Sequence, residues 1–150
     1  MYRFATMLAC VVGVASGNAV HAAPKSEDNV KITIKADKPA DGKQVVTLTL
    51  EVAKEWHLYA NPVMNDDLVT SQTTIDFTVG GKPTKAKVEY PEGKLIKDTV
   101  VGNYRTYEGT VTIKATIDRA GDGPVEAIIA IQTCTDKKCL LQSIVKRKVD

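Results

Sequence analysis

Beyond the first cysteine, Cys10, the chain carries two more, in Thr133-Cys134-Thr135-Asp136-Lys137-Lys138-Cys139-Leu140. Four residues separate Cys134 from Cys139, and two cysteines that bracket a short turn can bring their sulfurs within bonding reach. One use of such a pair is a structural clip. Closing a loop this short contributes roughly 2 kcal/mol in the chain-entropy model, a local staple for a domain able to bury its own core. The other use is a working dithiol, which needs partial exposure and surroundings that favour thiolate. Lys137 and Lys138 favour the anion and Asp136 opposes it. The C-x4-C spacing is not the C-x2-C of thioredoxin-like proteins, and no βαβ pattern surrounds it.

Metal chemistry finds less support. Two thiolates are half a zinc site, and outside the N-terminal leader the chain has one histidine, His57. Cys134, Cys139, His57 and Met64 could in principle hold copper, but nothing in their spacing demands it. A Cys–His nucleophile would have to use the same His57, which beside Trp56 reads first as a packing residue. No metal or cofactor is expected.

Met1-Tyr2-Arg3, an apolar run over residues 4–14 and the small-residue site Val20-His21-Ala22-Ala23 have the layout of a secretory signal peptide, expected over residues 1–22. Leu8-Ala9-Cys10 faintly resembles a lipoprotein cleavage box, but Cys10 lies inside the apolar run with more apolar residues after it, so lipidation is the minor reading. Export would deliver residues 23–150 as one periplasmic or secreted domain, where a disulfide can persist. No second hydrophobic segment follows, so no transmembrane segment is expected in the mature chain. A net charge of +2 gives no reason to expect a nucleic-acid partner.

The elements that must position the cysteines are strands. Period-two alternation runs through Ile32 and Ile34, through Val46, Leu48, Leu50 and Val52, and through Ile75, Phe77 and Val79. It continues through Ala86, Val88 and Tyr90, and over residues 107–117 through Val111, Ile113, Ala115 and Ile117. Residues 56–62 read as a short aromatic strand. Residues 125–133 are apolar on both faces, as a central covered strand would be. Residues 143–149 close the chain, with Lys146-Arg147-Lys148 on a solvated edge. Residues 24–29 read as loose, 63–72 as a loop and 94–105 as irregular. Turns such as Asp41-Gly42, Gly80-Gly81 and Gly121-Asp122-Gly123-Pro124 punctuate the run. Many short strands in so few residues predict an all-β, immunoglobulin-like antiparallel β-sandwich.

Three segments carry a further pattern: Glu55-Trp56-His57-Leu58-Tyr59; Tyr90-Pro91-Glu92-Gly93 followed by Asp98-Thr99-Val100-Val101-Gly102 and Tyr107; and Ile131-Gln132-Thr133-Cys134 through Cys139-Leu140. With them, the chain from about Val45 to Val149 resembles the N-terminal periplasmic domain of the DsbD thiol:disulfide interchange family. The resemblance implies an immunoglobulin-like module that passes electrons from a membrane-embedded donor to periplasmic partners. It puts Tyr59 on the family's active-site tyrosine and His57 on a second aromatic position. Asp98, Thr99, Val100, Val101 and Gly102 fall on a loop that caps the disulfide, and Cys139 on the cysteine that attacks or is attacked.

The chain also departs from that pattern. Val100 stands where the cap carries an aromatic, Leu140-Leu141-Gln142 replace an apolar or aromatic residue and two prolines, and the turn is one residue shorter. With neither a membrane domain nor a thioredoxin-like domain within these 150 residues, the electron donor is expected to be a separate protein. The expected function is therefore thiol–disulfide interchange with thioredoxin-like periplasmic proteins through Cys134 and Cys139, fed by a separate membrane electron donor. The alternative is a non-catalytic immunoglobulin-like binding module with a structural disulfide.

Overall fold

The structure, a computed structural model, describes residues 23–119 and 121–149; the expected signal peptide lies outside the described residues. Twelve strands follow in order: β1 Val30–Ala36, β2 Lys43–Val52, β3 His57–Tyr59, β4 Thr74–Val79, β5 Lys82–Thr84, β6 Ala86–Glu89, β7 Lys94–Ile96, β8 Tyr104–Tyr107, β9 Thr110–Asp118, β10 Val125–Ile131, β11 Thr133–Cys134 and β12 Ser143–Val149. They form sheets ordered β1-β2-β9-β6, β12-β10-β4-β5 and β11-β3-β8-β7. Their pairings are antiparallel throughout.

Alternation decides which face of each sheet is buried. On β2 and β9, Leu48 lies across from Ile113 and Val46 across from Ala115. On the second sheet Ile129 lies between Ile75 and Val145, and Ala127 across from Phe77. These faces meet in one apolar core. Burying each large aliphatic side chain there contributes about 1.5–3 kcal/mol. The fold is an all-β, immunoglobulin-like antiparallel sandwich. The third sheet is assembled from strands that run directly into the other two: β8 into β9, and β10 into β11. Leu58, Ala60 and Tyr107 tie it to the same core.

Several local expectations change. β10 is central between β12 and β4 but covered on one face only, because Ile128 and Ala130 lie in an outer row with Lys146, Ile144 and Asp76 that no layer overlies. Residues 107–117 are not one strand. The chain leaves the third sheet after Tyr107 and enters the first at Thr110, turning at Gly109, whose φ of +63° favours glycine. The segment read as irregular contains β7 and β8, and the loop before β4 contains a 3₁₀ turn, Asp66–Ser71, capped by the Asn65 carboxamide oxygen accepting from Asp67 N at 3.0 Å. Residues 24–29 are not loose: Ser26–Asn29 form a 3₁₀ turn with Ser26 wholly buried.

Candidate redox site

The cysteine segment is a β-hairpin. Thr135 N donates to Lys138 O at 2.8 Å and Leu140 N donates to Thr133 O at 2.9 Å. Cys134 and Cys139 therefore sit directly opposite, between those two bonds. At such a non-hydrogen-bonded position the side chains of antiparallel strands come closest. The two sulfurs are joined as a disulfide, with the Cα atoms 4.0 Å apart. The Thr135 hydroxyl fastens the turn, accepting from Lys137 N at 3.3 Å and Lys138 N at 3.2 Å. The pair is asymmetric, because Cys134 is 1% exposed while Cys139 lies open to solvent.

The base of the hairpin is anchored from the other end of the chain. Ser26 Oγ accepts from Thr133 N at 3.0 Å and donates to Leu141 O at 2.7 Å, so one buried hydroxyl holds both arms. Gln132 Nε2 adds a bond across the base to Leu140 O at 2.9 Å.

An aromatic wall stands beside the sulfurs. The Tyr59 hydroxyl points its hydrogen at Cys139 Sγ, 3.8 Å away, since a disulfide sulfur has none to give. Tyr59 packs edge-on against His57 at 6.0 Å and Tyr104 at 5.8 Å between ring centroids. Burial, then Tyr104, pushes the Tyr59 phenol up, so it stays a donor at neutral pH. Lys138 Nζ lies 5.9 Å from the Trp56 ring centroid, a cation–π contact that draws the turn toward β3.

His57 faces Cys134 across the β3–β11 ladder and is half-buried. An open groove beside it is lined by Trp56, Lys94, Glu108, Asp136 and Lys137. Burial lowers the His57 pKa, against the opposing pull of Asp136 and Glu108.

The short strands of this end are positioned by polar side chains. Thr73 Oγ1 donates to Tyr59 O at 2.8 Å, and Asn61 Nδ2 donates to Thr73 O at 2.9 Å. The Tyr107 hydroxyl accepts from Asn61 N at 3.2 Å and donates to Pro91 O at 2.9 Å. Only glycine fits at Gly93, where a Cβ would meet Ala60 Cβ at 2.5 Å and Thr106 O at 2.9 Å.

The loop of residues 98–102 is ordered by its own aspartate. Asp98 Oδ1 accepts from Val100 N at 2.7 Å and Val101 N at 3.0 Å, and these bonds hold its carboxyl below the usual range. Asn65 Nδ2 donates to Val101 O at 2.7 Å, and Gly102 takes a φ of +85°. Val100 is 90% exposed, so it is not packed over the sulfurs.

Of the residues singled out from sequence, Cys134, Cys139, Tyr59 and His57 come together in one cluster. Thr99 and Val100 are exposed on the neighbouring loop. Tyr104, which follows that loop in the chain, joins the cluster by packing against Tyr59, and its phenol is pushed up by burial first and then by Asp98 and Asp136. Sequence reasoning missed Tyr104, Glu108 and Ser26. The alternating pair Tyr104 and Thr106 could have marked a strand, but nothing in the sequence ties Ser26 to a strand more than a hundred residues away. Among the described residues, no three His, Cys, Asp or Glu side chains group as a metal site needs.

The structure is similar to the N-terminal periplasmic domain of ScsB from Proteus mirabilis (TM-score 0.63, 16% identity), covering 82% of this chain and 47% of that one. The chain thus spans about half the length of that relative. It is also similar to the N-terminal domain of DsbD from Neisseria meningitidis in its reduced form (TM-score 0.55, 13% identity; 89% and 94% covered). The GAE domain of GGA2p from Saccharomyces cerevisiae shares the fold at a TM-score of 0.50 and 10% identity, with 87% and 95% covered. Identities this low speak for the fold alone, and a fold by itself names no activity. No curated protein matches the sequence. Among the described residues no helix is long and apolar enough to cross a membrane. Family membership comes from the sequence itself: residues 23–146 match the family model described as thiol:disulfide interchange protein DsbD, N-terminal, and the chain belongs to that family.

Proposed function

We propose that this chain is a periplasmic or secreted thiol–disulfide interchange module, in which Cys134 and Cys139 cycle between dithiol and disulfide. The observation that carries the reading is the asymmetry of the pair: Cys139 is an exposed residue and Cys134 a buried one. In the reduced protein the Cys139 thiolate attacks a partner disulfide. A mixed disulfide forms and the partner's first sulfur leaves as thiolate. Cys134 then attacks Cys139 Sγ, restoring the internal disulfide and releasing the partner's second sulfur, so two electrons pass to the partner. The reverse sequence loads the module from a donor. Suitable partners are thioredoxin-like periplasmic proteins, with a separate membrane protein as donor. Tyr59 and His57 line the reacting pair, and residues 98–102 gate the approach to it.

The test is a trap. Cys134→Ser keeps the exposed nucleophile and removes the resolving sulfur, so it should accumulate a mixed disulfide with a thioredoxin-like partner on non-reducing gels, whereas Cys139→Ser should not. Absence of any adduct with Cys134→Ser would sink the proposal. The competing reading, a binding module with a permanent clip, rests on how firmly Ser26 and Thr135 fix the hairpin. It requires a reduction potential below about −300 mV, whereas exchange requires a distinctly higher one.

A further inference from the structure

We infer that His57 is the proton acceptor for the buried Cys134 thiol during resolution of the mixed disulfide. The inference rests on the exchange function proposed above and assigns to His57 more than lining the site. Three neighbouring chain segments carry it. Cys139, Cys134 and His57 occupy successive positions in one row across the ladder, Cys134 opposite Cys139 on one side and opposite His57 on the other. Directly opposed residues of antiparallel strands carry side chains on one face, with Cβ atoms roughly 4.5–5.5 Å apart. The register thus places the imidazole, a titratable group, across from the buried cysteine.

The chemistry calls for such a group. Only the thiolate attacks, and burial among apolar neighbours raises a thiol's pKa, so Cys134 held at 1% exposure is a poor nucleophile without a local base. Desolvation keeps the imidazole neutral and ready to accept. Charged and titratable groups face it from each neighbouring element. Asp136 and Lys137 belong to the hairpin turn, Glu108 to the link between β8 and β9, Lys94 to β7, and Tyr59 to its own strand. Lys94 Nζ is engaged by Glu108, at 3.0 and 3.1 Å from its two carboxylate oxygens. Asp136 and Glu108 both favour the imidazolium once it forms.

In the step itself the Cys134 S–H proton passes to His57 as Sγ attacks Cys139 Sγ. The bond between Cys139 and the partner sulfur breaks, the partner departs as thiolate, and the imidazolium returns its proton to water. The dithiol is oxidised and the partner reduced by two electrons.

The test follows resolution of a Cys139–glutathione mixed disulfide, formed with oxidised glutathione, from mildly acidic to mildly alkaline pH. The wild-type rate should rise through the histidine titration and level off. His57→Phe should resolve on the order of 10²-fold more slowly at neutral pH, with a rate that keeps climbing with hydroxide. A His57→Phe profile matching wild type overturns the relay. A second variant, His57→Gln, keeps a polar side chain without a titratable base and should show the same slowed, hydroxide-dependent resolution; a His57→Gln profile matching wild type overturns the relay as well. The Cys134→Ser trap separates the two claims. An empty trap with histidine-dependent resolution removes the partner-exchange function and leaves the relay, and a loaded trap with histidine-independent resolution does the reverse.

Discussion

In the middle of the sandwich, Leu48 faces Ile113, and Ile129 lies between Ile75 and Val145, all of them closed to solvent. At the end that carries the disulfide, β3, β7, β8 and β11 run two to four residues each. Their geometry comes from Ser26, Thr73, Asn61 and Tyr107, whose side chains bond to backbone groups of other segments. Apolar burial is non-directional and tolerates exchange of one aliphatic side chain for another of similar volume. A hydrogen bond is directional, and a buried group that loses its partner bears a desolvation cost. The core can therefore supply stability with little demand on identity. The site end supplies geometry and depends on particular atoms, which lets it hold one cysteine exposed beside a phenol and an imidazole.

The sharpest way to break this contrast is to damage each region and read the other. Ile129→Ala removes a wholly buried side chain and should cost about 2–5 kcal/mol in denaturant unfolding, with the reduction potential of the cysteine pair unchanged. A shifted potential would mean that core and site are not separable. Ser26→Ala leaves the buried Thr133 amide without its acceptor and should cost about 1–3 kcal/mol. It should also speed amide hydrogen exchange at Thr133 while leaving that of Ile113 and Leu48 in proportion to global stability. Equal acceleration everywhere would deny the hydroxyl its local role.

The smallest effect concerns the loop of residues 98–102. The Asp98 carboxyl titrates below its ordinary value because it accepts from Val100 N and Val101 N. Its ordering effect is thus present above the usual carboxylate range and is lost as pH falls through the lowered value. The amide NMR shifts of Val100 and Val101 should move in that acidic window, and Asp98→Asn should abolish the movement. Shifts that moved at the ordinary aspartate pH would disprove the tie.

Much of the sandwich was legible because period-two alternation is a local property. Val46, Leu48, Leu50 and Val52 announce a half-buried strand whatever they pair with, and all four are buried. The same reasoning failed over residues 107–117, since alternation carries on through a change of sheet and only Gly109 marks the break. It failed for residues 24–29, where a polar composition hides a buried serine. In the site, the cysteines and the aromatic strand were visible from residue type and spacing. Tyr104 and Glu108 were not, because what matters is which distant segment the fold brings beside them.

The all-β class, the apolar face of the long strands and a cysteine pair that a short turn could join all follow from residue order, since each depends on neighbours close along the chain. Three-dimensional packing was needed to bury Cys134, to leave Cys139 and Val100 exposed, to seat His57 opposite Cys134 and to close the hairpin with a hydroxyl from residue 26. Those are relations between segments distant in sequence, set by strand register and by which segment packs against which, and no local pattern of residues encodes them.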